Sequence, residues 1–303
     1  MTMKKNGNII AIVVTYNRCE LLLEAIEALL NSVVKCDILI VDNASNDGTD
    51  EKIKKYLKHD NVNYLNTGAN IGGAGGFNYG MKAAYQAGYE YFWLMDDDTI
   101  VEKDTLQRFI DAASILNNDF GFLSSFAYWN DGAECVMNRH GFSMDAVCSG
   151  ALLRNNLVEI STATFVSFFT SRKVVESVGL PIKDYFIWGD DTEYSLRISR
   201  KFKSYFVFNS SVHHKMKENK GTGEIYLICD KERIKRLEFS IRNDCCTFKR
   251  FSFRKLLGYS MRTLHSMNEI IQNKGQYKML KIYVVVKGYV NGLLFFNPKV
   301  ESI

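Results

Sequence analysis

Three consecutive carboxylates, Asp96, Asp97 and Asp98, close the stretch YFWLMDDDTI directly after a run of bulky apolar side chains. Adjacent carboxylates repel one another and resist desolvation, so such a cluster is tolerated where a cation neutralises it or where it lies in a solvated turn. In extended backbone the side chains of Asp96 and Asp98 point to one side and that of Asp97 to the other. Oxygen ligands of this kind suit magnesium or manganese, which keep waters and bind substrate phosphates with few protein carboxylates. A further ligand is available in VHHK, where His213 and His214 follow the strand-like SYFVFNSS. An imidazole tilts the choice toward manganese; the alternative for the pair is a surface or capping role. A second acidic group, Asp190, Asp191 and Glu193, also follows aromatics, in YFIWGDDTEY. A dication stabilises a departing diphosphate as a Lewis acid, and a separate carboxylate can deprotonate an incoming hydroxyl. That combination is group transfer from a nucleotide donor.

The elements that must position these groups are legible as an alternation. IIAIVVTYN has the pattern of a buried strand, CELLLEAIEALLNS of an amphipathic helix, CDILIVDNAS of a second strand and DGTDEKIKKYLKH of a helix. VNYLNTG, GGFNYGMKAAYQAG and YEYFWLMDDD continue as strand, helix and strand. Strands alternating with helices imply a mostly parallel sheet covered on both faces, an α/β fold whose ligands bind outside the carboxyl ends of the strands. Four polar loops fall on that rim: TYNR, DNAS, NTGANIGGAGG and DDD. Each by itself also fits an ordinary loop or cap. NIGGAGGF lacks the Walker lysine and the dinucleotide fingerprint, but its glycines would let backbone approach an anion at a helix N-terminus or make a tight turn. After residue 100, TLQRFIDAASILNN is expected as a helix, FGFLSSFAYW as a strand, residues 130–160 as turns and short strands, and ATFVSFFTSRKVVESVG as a strand entering a helix.

With 303 residues, 47% of them hydrophobic, the chain can bury a sizeable core, and its 2 prolines argue against a proline-rich linker. The formal charge of +4 is unevenly spread. Residues 231–303 hold 15 Lys or Arg against 5 Asp or Glu, whereas residues 1–230 hold 23 against 29. The basic, apolar tail is expected to be mainly helical and packed on the core, and its composition also suits a helix resting on an anionic membrane. Lys287 interrupts the longest apolar run, so a membrane span is not expected, and IIAIVV is too short for a signal peptide. Seven cysteines without a CxxC pair give neither a disulfide framework nor a zinc pattern and fit a reducing cytoplasm. No recognised nucleic-acid module accompanies the basic residues, and no nucleic-acid partner is expected.

VVTYNR, ILIVDNAS, NIGGAGGFNYGM, FWLMDDDTIVE, FIWGDDTEYSLRI, VHHK and RNDCCTFKR, in that order, resemble the family 2 inverting glycosyltransferases, within them the bacterial galactofuranosyl and rhamnosyl transferase-like group. The resemblance implies a glycosyltransferase A-type fold over residues 1–230, with residues 231–303 as a helical addition. It implies a nucleotide-sugar donor, UDP-galactofuranose first and dTDP-rhamnose next, and a glycan or lipid-linked glycan acceptor in cell-surface polysaccharide synthesis. Thr15, Asn17, Arg18 and Asp42 would hold the nucleoside, with Asn70, Gly72, Gly73 and Asp97 along the donor. Asp96, Asp98 and His214, in preference to His213, would bind Mn2+ or Mg2+. Asp191 would be the general base, and Trp188 and Asp190 would shape the acceptor side. The carboxylates at 190 and 191 also suit a helix N-terminus. The galactofuranosyl polymerases of mycobacterial type carry further domains on both sides of this core, so a single-addition enzyme at the cytoplasmic leaflet is expected. The other readings are a nucleotidyltransferase, for which TYNRCE is a poor triphosphate loop, and a non-catalytic sugar-binding protein.

Overall fold

A computed structural model describes residues 3–142, 149–219 and 225–303. The expectation of turns and short strands for 130–160 therefore lies partly outside the described residues, at 143–148. In chain order the elements are β1 (Ile9–Thr15), α1 (Cys19–Leu30), β2 (Asp37–Asp42), α2 (Thr49–Lys52), β3 (Val62–Asn66), α3 (Gly72–Gln86) and β4 (Tyr91–Asp96). They continue with β5 (Thr99–Val101), α4 (Thr105–Ile115), β6 (Phe122–Tyr128), β7 (Gly141–Phe142), α5 (Gly150–Arg154), β8 (Leu157–Thr162), β9 (Phe168–Ser171) and α6 (Arg172–Val178). Last come α7 (Asp190–Ser199), β10 (Ser204–His214), α8 (Lys231–Phe251), α9 (Phe253–Gln272) and α10 (Lys278–Val290).

The strands form one sheet in the order β3-β2-β1-β4-β9-β6-β10-β8-β7, with β5 beside β10. Its first half, β3 to β4, is entirely parallel; β9 enters antiparallel, and β6 and β10 run parallel to each other. Period-two alternation divides β1 between two cores. Ala11 and Val13 pack with Leu22, Ile26, Leu106 and Phe109, whereas Ile10, Ile12 and Val14 pack with Phe77, Met81 and Tyr194. Both faces are thus covered by helices, as the continuous apolar strands require. The register sets Thr15 opposite Asp42, Asp42 opposite Asn66, and Val14 opposite Asp96, so the polar loops leave the sheet along one rim.

The glycine-rich start of α3 is explained mainly by packing. A Cβ at Gly76 would lie 2.5 Å from Val14, and one at Gly80 would lie 2.7 Å from Ile12, so these residues let the helix lie close on the sheet. Gly72 has φ of +76°, and a Cβ there would sit 2.1 Å from the carbonyl oxygen of Phe186. Gly72→Ala is expected to cost about 2–4 kcal/mol through backbone strain and this collision, seen as a lower urea midpoint. Gly73 faces open space.

β10 differs from its expected extent in a way that matters. The strand runs on through both histidines, and its pairing with β6 jumps from Val207 opposite Ser125 to Ser211 opposite Phe126. This irregularity re-phases the strand end, as bulges do. β5 then pairs antiparallel with it, placing His214 opposite Thr99 and His213 opposite Ile100.

The chain ends in helices α8 to α10, packed around Ile234, Leu237, Ile241, Ile270, Val284 and Val285, with Trp188 against the same cluster. Beyond α10 the last residues return to the sheet domain, where Leu180 N–H donates to the Glu301 carbonyl at 2.9 Å.

Candidate active site

β4 ends at Asp96, and Asp97 and Asp98 form the turn into β5, so strand alternation does not govern the three carboxylates. The pairing of β5 with β10 does. It brings His214 beside Asp98, and ligand atoms from Asp96, Asp98 and His214 all lie within 4.8 Å of one another. His213, on the opposite side of the strand, instead meets Glu102 at 2.7 Å. Asp97 turns toward β1: it accepts from Thr15 Oγ1 at 2.7 Å and from Arg18 Nη1 at 3.3 Å. Arg18 Nη1 also reaches Asp98 Oδ2 at 2.6 Å.

The imidazole geometry tests whether this group suits a metal. Asn138 Nδ2 donates to Thr164 Oγ1 at 2.7 Å, and its Oδ1, which can only accept, lies 2.7 Å from His214 Nδ1. The proton of a neutral His214 therefore sits on Nδ1, and the Nε2 lone pair faces Asp98 Oδ1 at 3.0 Å. That buried oxygen has no hydrogen-bond partner among the described residues. A lone pair against a carboxylate needs a positive charge between or upon them: a second proton or a metal ion. Burial acts to lower the His214 pKa, but contact with Asp98, then Cys135 and the charge of Asp96, push it up to about 10. Two carboxylates and one imidazole, with the second nitrogen held by an amide, are the donor set of a small dication.

Charge is distributed unequally over the cluster. Burial, reinforced by Asp98, pushes Asp96 up to about 7. Burial also pushes Asp97 up to about 6 against the pull of Arg18. For Asp98 burial again acts upward, yet His214 and Arg18 outweigh it and hold the group below its ordinary value.

The second acidic cluster opens α7. Gly189, in the left-handed region, precedes the helix, and Asp190 and Asp191 stand in its first turn, where their carboxylates accept first-turn backbone N–H groups, so the helix N-terminus role holds beside any other. Asp190 is buried and driven well above the carboxylate range by desolvation, then by Asp191 and Asp96, which places it in the field of the first cluster. Asp191 accepts from Thr192 N–H at 2.6 Å, and burial pushes it up to about 6. Asp244, on α8, is pushed up to about 7 by burial and by Asp191.

The approach to α7 is backbone that only a strong brace would hold, with positive φ at Phe186, Trp188 and Gly189. Asn243 of α8 is that brace. Its Nδ2 faces the carbonyls of Tyr185, Ile187 and Trp188 at 2.9, 3.1 and 2.7 Å, and Arg242 Nε donates to its Oδ1 at 3.0 Å. Asn243 and Asp244 lie in RNDCC, whose spacing alone gives no hint of either contact. Asn243→Ala would leave several buried carbonyls unsatisfied and is expected to lower stability by about 2–4 kcal/mol. A urea melt unchanged from the native protein would contradict this role.

The remaining rim residues fall into two groups. Thr15 and Asp42 are buried, and Asp42 accepts from Ser45 N–H at 2.8 Å and Tyr64 Oη at 2.7 Å. Asn17 and Arg18 are exposed, with Asn17 Oδ1 accepting from Asn46 N–H at 2.8 Å to tie the first two loops together. Asn70 Oδ1 accepts from Gly72 N–H at 2.9 Å. A hollow of about 730 Å³ lies at the other, N-terminal edge of the sheet, lined by Asn6, Ile9, Glu27, Cys36, Asp37 and Asn61. It contains none of these groups.

The fold has solved relatives. S. aureus TarS residues 1–349 superpose with a TM-score of 0.58 at 14% identity, covering 95% of this chain and 81% of that one. The mannosyltransferase PcManGT of Pyrobaculum calidifontis, solved with GDP-Man and Mn2+, gives 0.58 at 13% identity, covering 96% and 88%. In sequence, the galactofuranosyltransferase GlfT1 of Mycolicibacterium smegmatis is 39% identical over 90 residues, 29% of each chain, so the match spans under a third of that relative. The dTDP-rhamnosyl transferase RfbF of Shigella flexneri is 26% identical over 200 residues, 63% of each. Residues 10–179, more than half of the 303, match the family described as glycosyl transferase family 2, and to that family this chain belongs.

Proposed function

We propose that this glycosyltransferase moves a sugar from a nucleotide-diphosphate donor to a hydroxyl of a glycan or lipid-linked glycan, with inversion in a single displacement. The observation that carries the reading is the convergence of Asp96, Asp98 and His214, whose ligand atoms all lie within 4.8 Å of one another. Asp96, Asp98 and His214 would hold Mn2+ or Mg2+, which when bound supplies Lewis-acid stabilisation of the departing diphosphate. The solved neighbour with GDP-Man and Mn2+ supports a dication, and the imidazole favours manganese.

Asn17 and Arg18 contact the nucleoside side directly in this reading. Thr15 and Asp42, being buried, act through the Asp97 and Tyr64 groups they hold. Asn70 and Gly72 shape the turn along which the donor lies, and open space at Gly73 lets the backbone approach it. Asp191 takes the proton from the acceptor hydroxyl, while Trp188 and Asp190 form the acceptor wall. Residues 1–230 carry the donor and metal groups, and residues 231–303 brace the acceptor loop through Asn243. Galactofuranose is the favoured sugar, from the relative GlfT1, and rhamnose the next, from RfbF. The enzyme would work at the cytoplasmic leaflet, where a lipid-linked acceptor is presented.

A donor screen tests this. Purified protein with manganese or magnesium and a panel of UDP and dTDP sugars is expected to show thermal stabilisation by one nucleotide sugar class, UDP-galactofuranose above the rest. Equal melting with every donor, with and without metal, would overturn it.

A further inference from the structure

We infer that α9 and α10 form an in-plane dock for an anionic lipid surface, which deepens the proposed acceptor class and rests on it only for its purpose. The observation is a pair of exposed apolar stripes. On α9, Phe253, Leu257, Met261 and Leu264 recur at spacings of four, four and three, with Phe253 78% and Met261 65% exposed. On α10 the buried face is Lys281, Val284, Val285 and Gly288, and the opposite face carries Met279, Tyr283, Val286 and Val290, with Met279 80% exposed. Leu294 and Phe295 extend that stripe past the helix end, Phe295 being 73% exposed. Helical spacing puts each set on one side of its helix. A Ser260–Tyr289 hydroxyl contact of 2.6 Å and stacked Tyr259 and Tyr289 rings hold the helices side by side.

Large side chains left in water at this density are an interaction surface. Charge identifies the occupant. Residues 252–290 contain seven Lys or Arg and one acidic residue, Glu269. Arg254, Lys255 and Lys274 are exposed and form no ion pair among the described residues. Apolar stripes flanked by free cations are the pattern of helices lying in an anionic headgroup layer, where burial and charge attraction act together. A second copy of this chain would bring the same cations against themselves. No described helix is long and apolar enough to cross a membrane, so the contact is one of lying on the surface.

The dock is mechanically joined to the site. Trp188 packs on the cluster beneath these helices, and Asn243 of α8 holds the carbonyl of Trp188 two residues before Asp190. An acceptor carried in lipid would therefore meet the acceptor loop from the docked side.

Co-sedimentation of the full chain with vesicles tests the inference, at an ionic strength of about 0.1 M. Binding to phosphatidylcholine vesicles containing phosphatidylglycerol is expected, and at least about tenfold weaker binding to phosphatidylcholine alone. The triple variant Leu257→Glu, Met261→Glu, Leu264→Glu and the pair Arg254→Glu, Lys255→Glu are each expected to weaken anionic-vesicle binding by about tenfold or more. All five positions are exposed and accept a helix-forming residue, and thermal stabilisation by manganese with UDP reports that the fold and site persist. Binding to neither vesicle, equal binding to both, or a solution dimer dispersed by the triple variant would overturn the proposal, the last in favour of a second copy. Vesicle binding without any manganese–UDP stabilisation would instead count against the donor reading and leave the dock standing.

Discussion

An Asp191→Asn enzyme is expected to turn over about 10²–10⁴-fold more slowly than the native protein while retaining donor affinity, because the amide is nearly isosteric but cannot accept the acceptor proton. The loss should fall on kcat, since in the proposed reading the donor is held by groups of β1, β2, β4 and the loops after them. The pH profile offers a second reading of the same group. Burial pushes Asp191 up to about 6, so its base form is dominant above that pH and its protonated, inactive form below it. The kcat/KM of the native enzyme should then fall about tenfold per unit on the acid side, with no alkaline loss from this residue. Asp190 is the informative comparison. It is more buried than Asp191, and its carboxyl is the one raised by Asp96. If Asp190→Asn abolished turnover and Asp191→Asn did not, the base would be the neighbour. Lost donor binding with normal residual turnover in Asp191→Asn would reject a proton-transfer role altogether.

Asp98→Ala is expected to weaken manganese binding by more than about 100-fold, exceeding the 10–100-fold typical of residues that only orient a ligand. The mutation removes the oxygen that faces His214 Nε2 at 3.0 Å and also releases Arg18 from its shortest carboxylate contact. Two effects should be visible together in calorimetric titrations: weak manganese binding, and UDP binding that no longer responds to manganese. The His214 imidazole should lose its main source of elevation in the metal-free protein, since Asp98 is what raises it against burial. Native manganese affinity in Asp98→Ala, or donor turnover without any metal, would refute the assignment.

Much of this architecture was readable from local pattern. The units β1 through β4 follow from apolar runs and helical periodicity within about fifteen residues of each other, and the polar loops fall at the strand ends because parallel connections put them there. The acidic clusters stood out as candidates, three adjacent carboxylates after YFWLM suiting a cation or a solvated turn; Asp97 and Asp98 form a turn but are buried in it. What could not be read was anything set by pairing between distant segments. The choice of His214 over His213 was offered by resemblance; its physical cause is the β5–β10 register and the irregularity between Val207 and Ser211. Asp97 was expected to point away by strand alternation, but the strand ends at Asp96, and Thr15 and Arg18 decide its direction. The sequence around Gly72 suits an anion contact; the structure gives Gly72 a requirement of another kind, the Phe186 carbonyl more than a hundred residues later. Asn243 and Asp244 escaped as actors because their partners, the 185–188 carbonyls and Asp191, lie over fifty residues upstream. Only a folded chain brings those groups within reach.

In the proposed site Asp96, Asp98 and His214 are held together to seat a dication. Anomalous scattering at the manganese edge, from crystals grown with manganese and UDP, measures it directly. One strong peak is expected about 2 Å from carboxylate oxygens of Asp96 and Asp98 and from His214 Nε2. A manganese peak elsewhere, or UDP bound at this rim with no metal between it and His214, would contradict it.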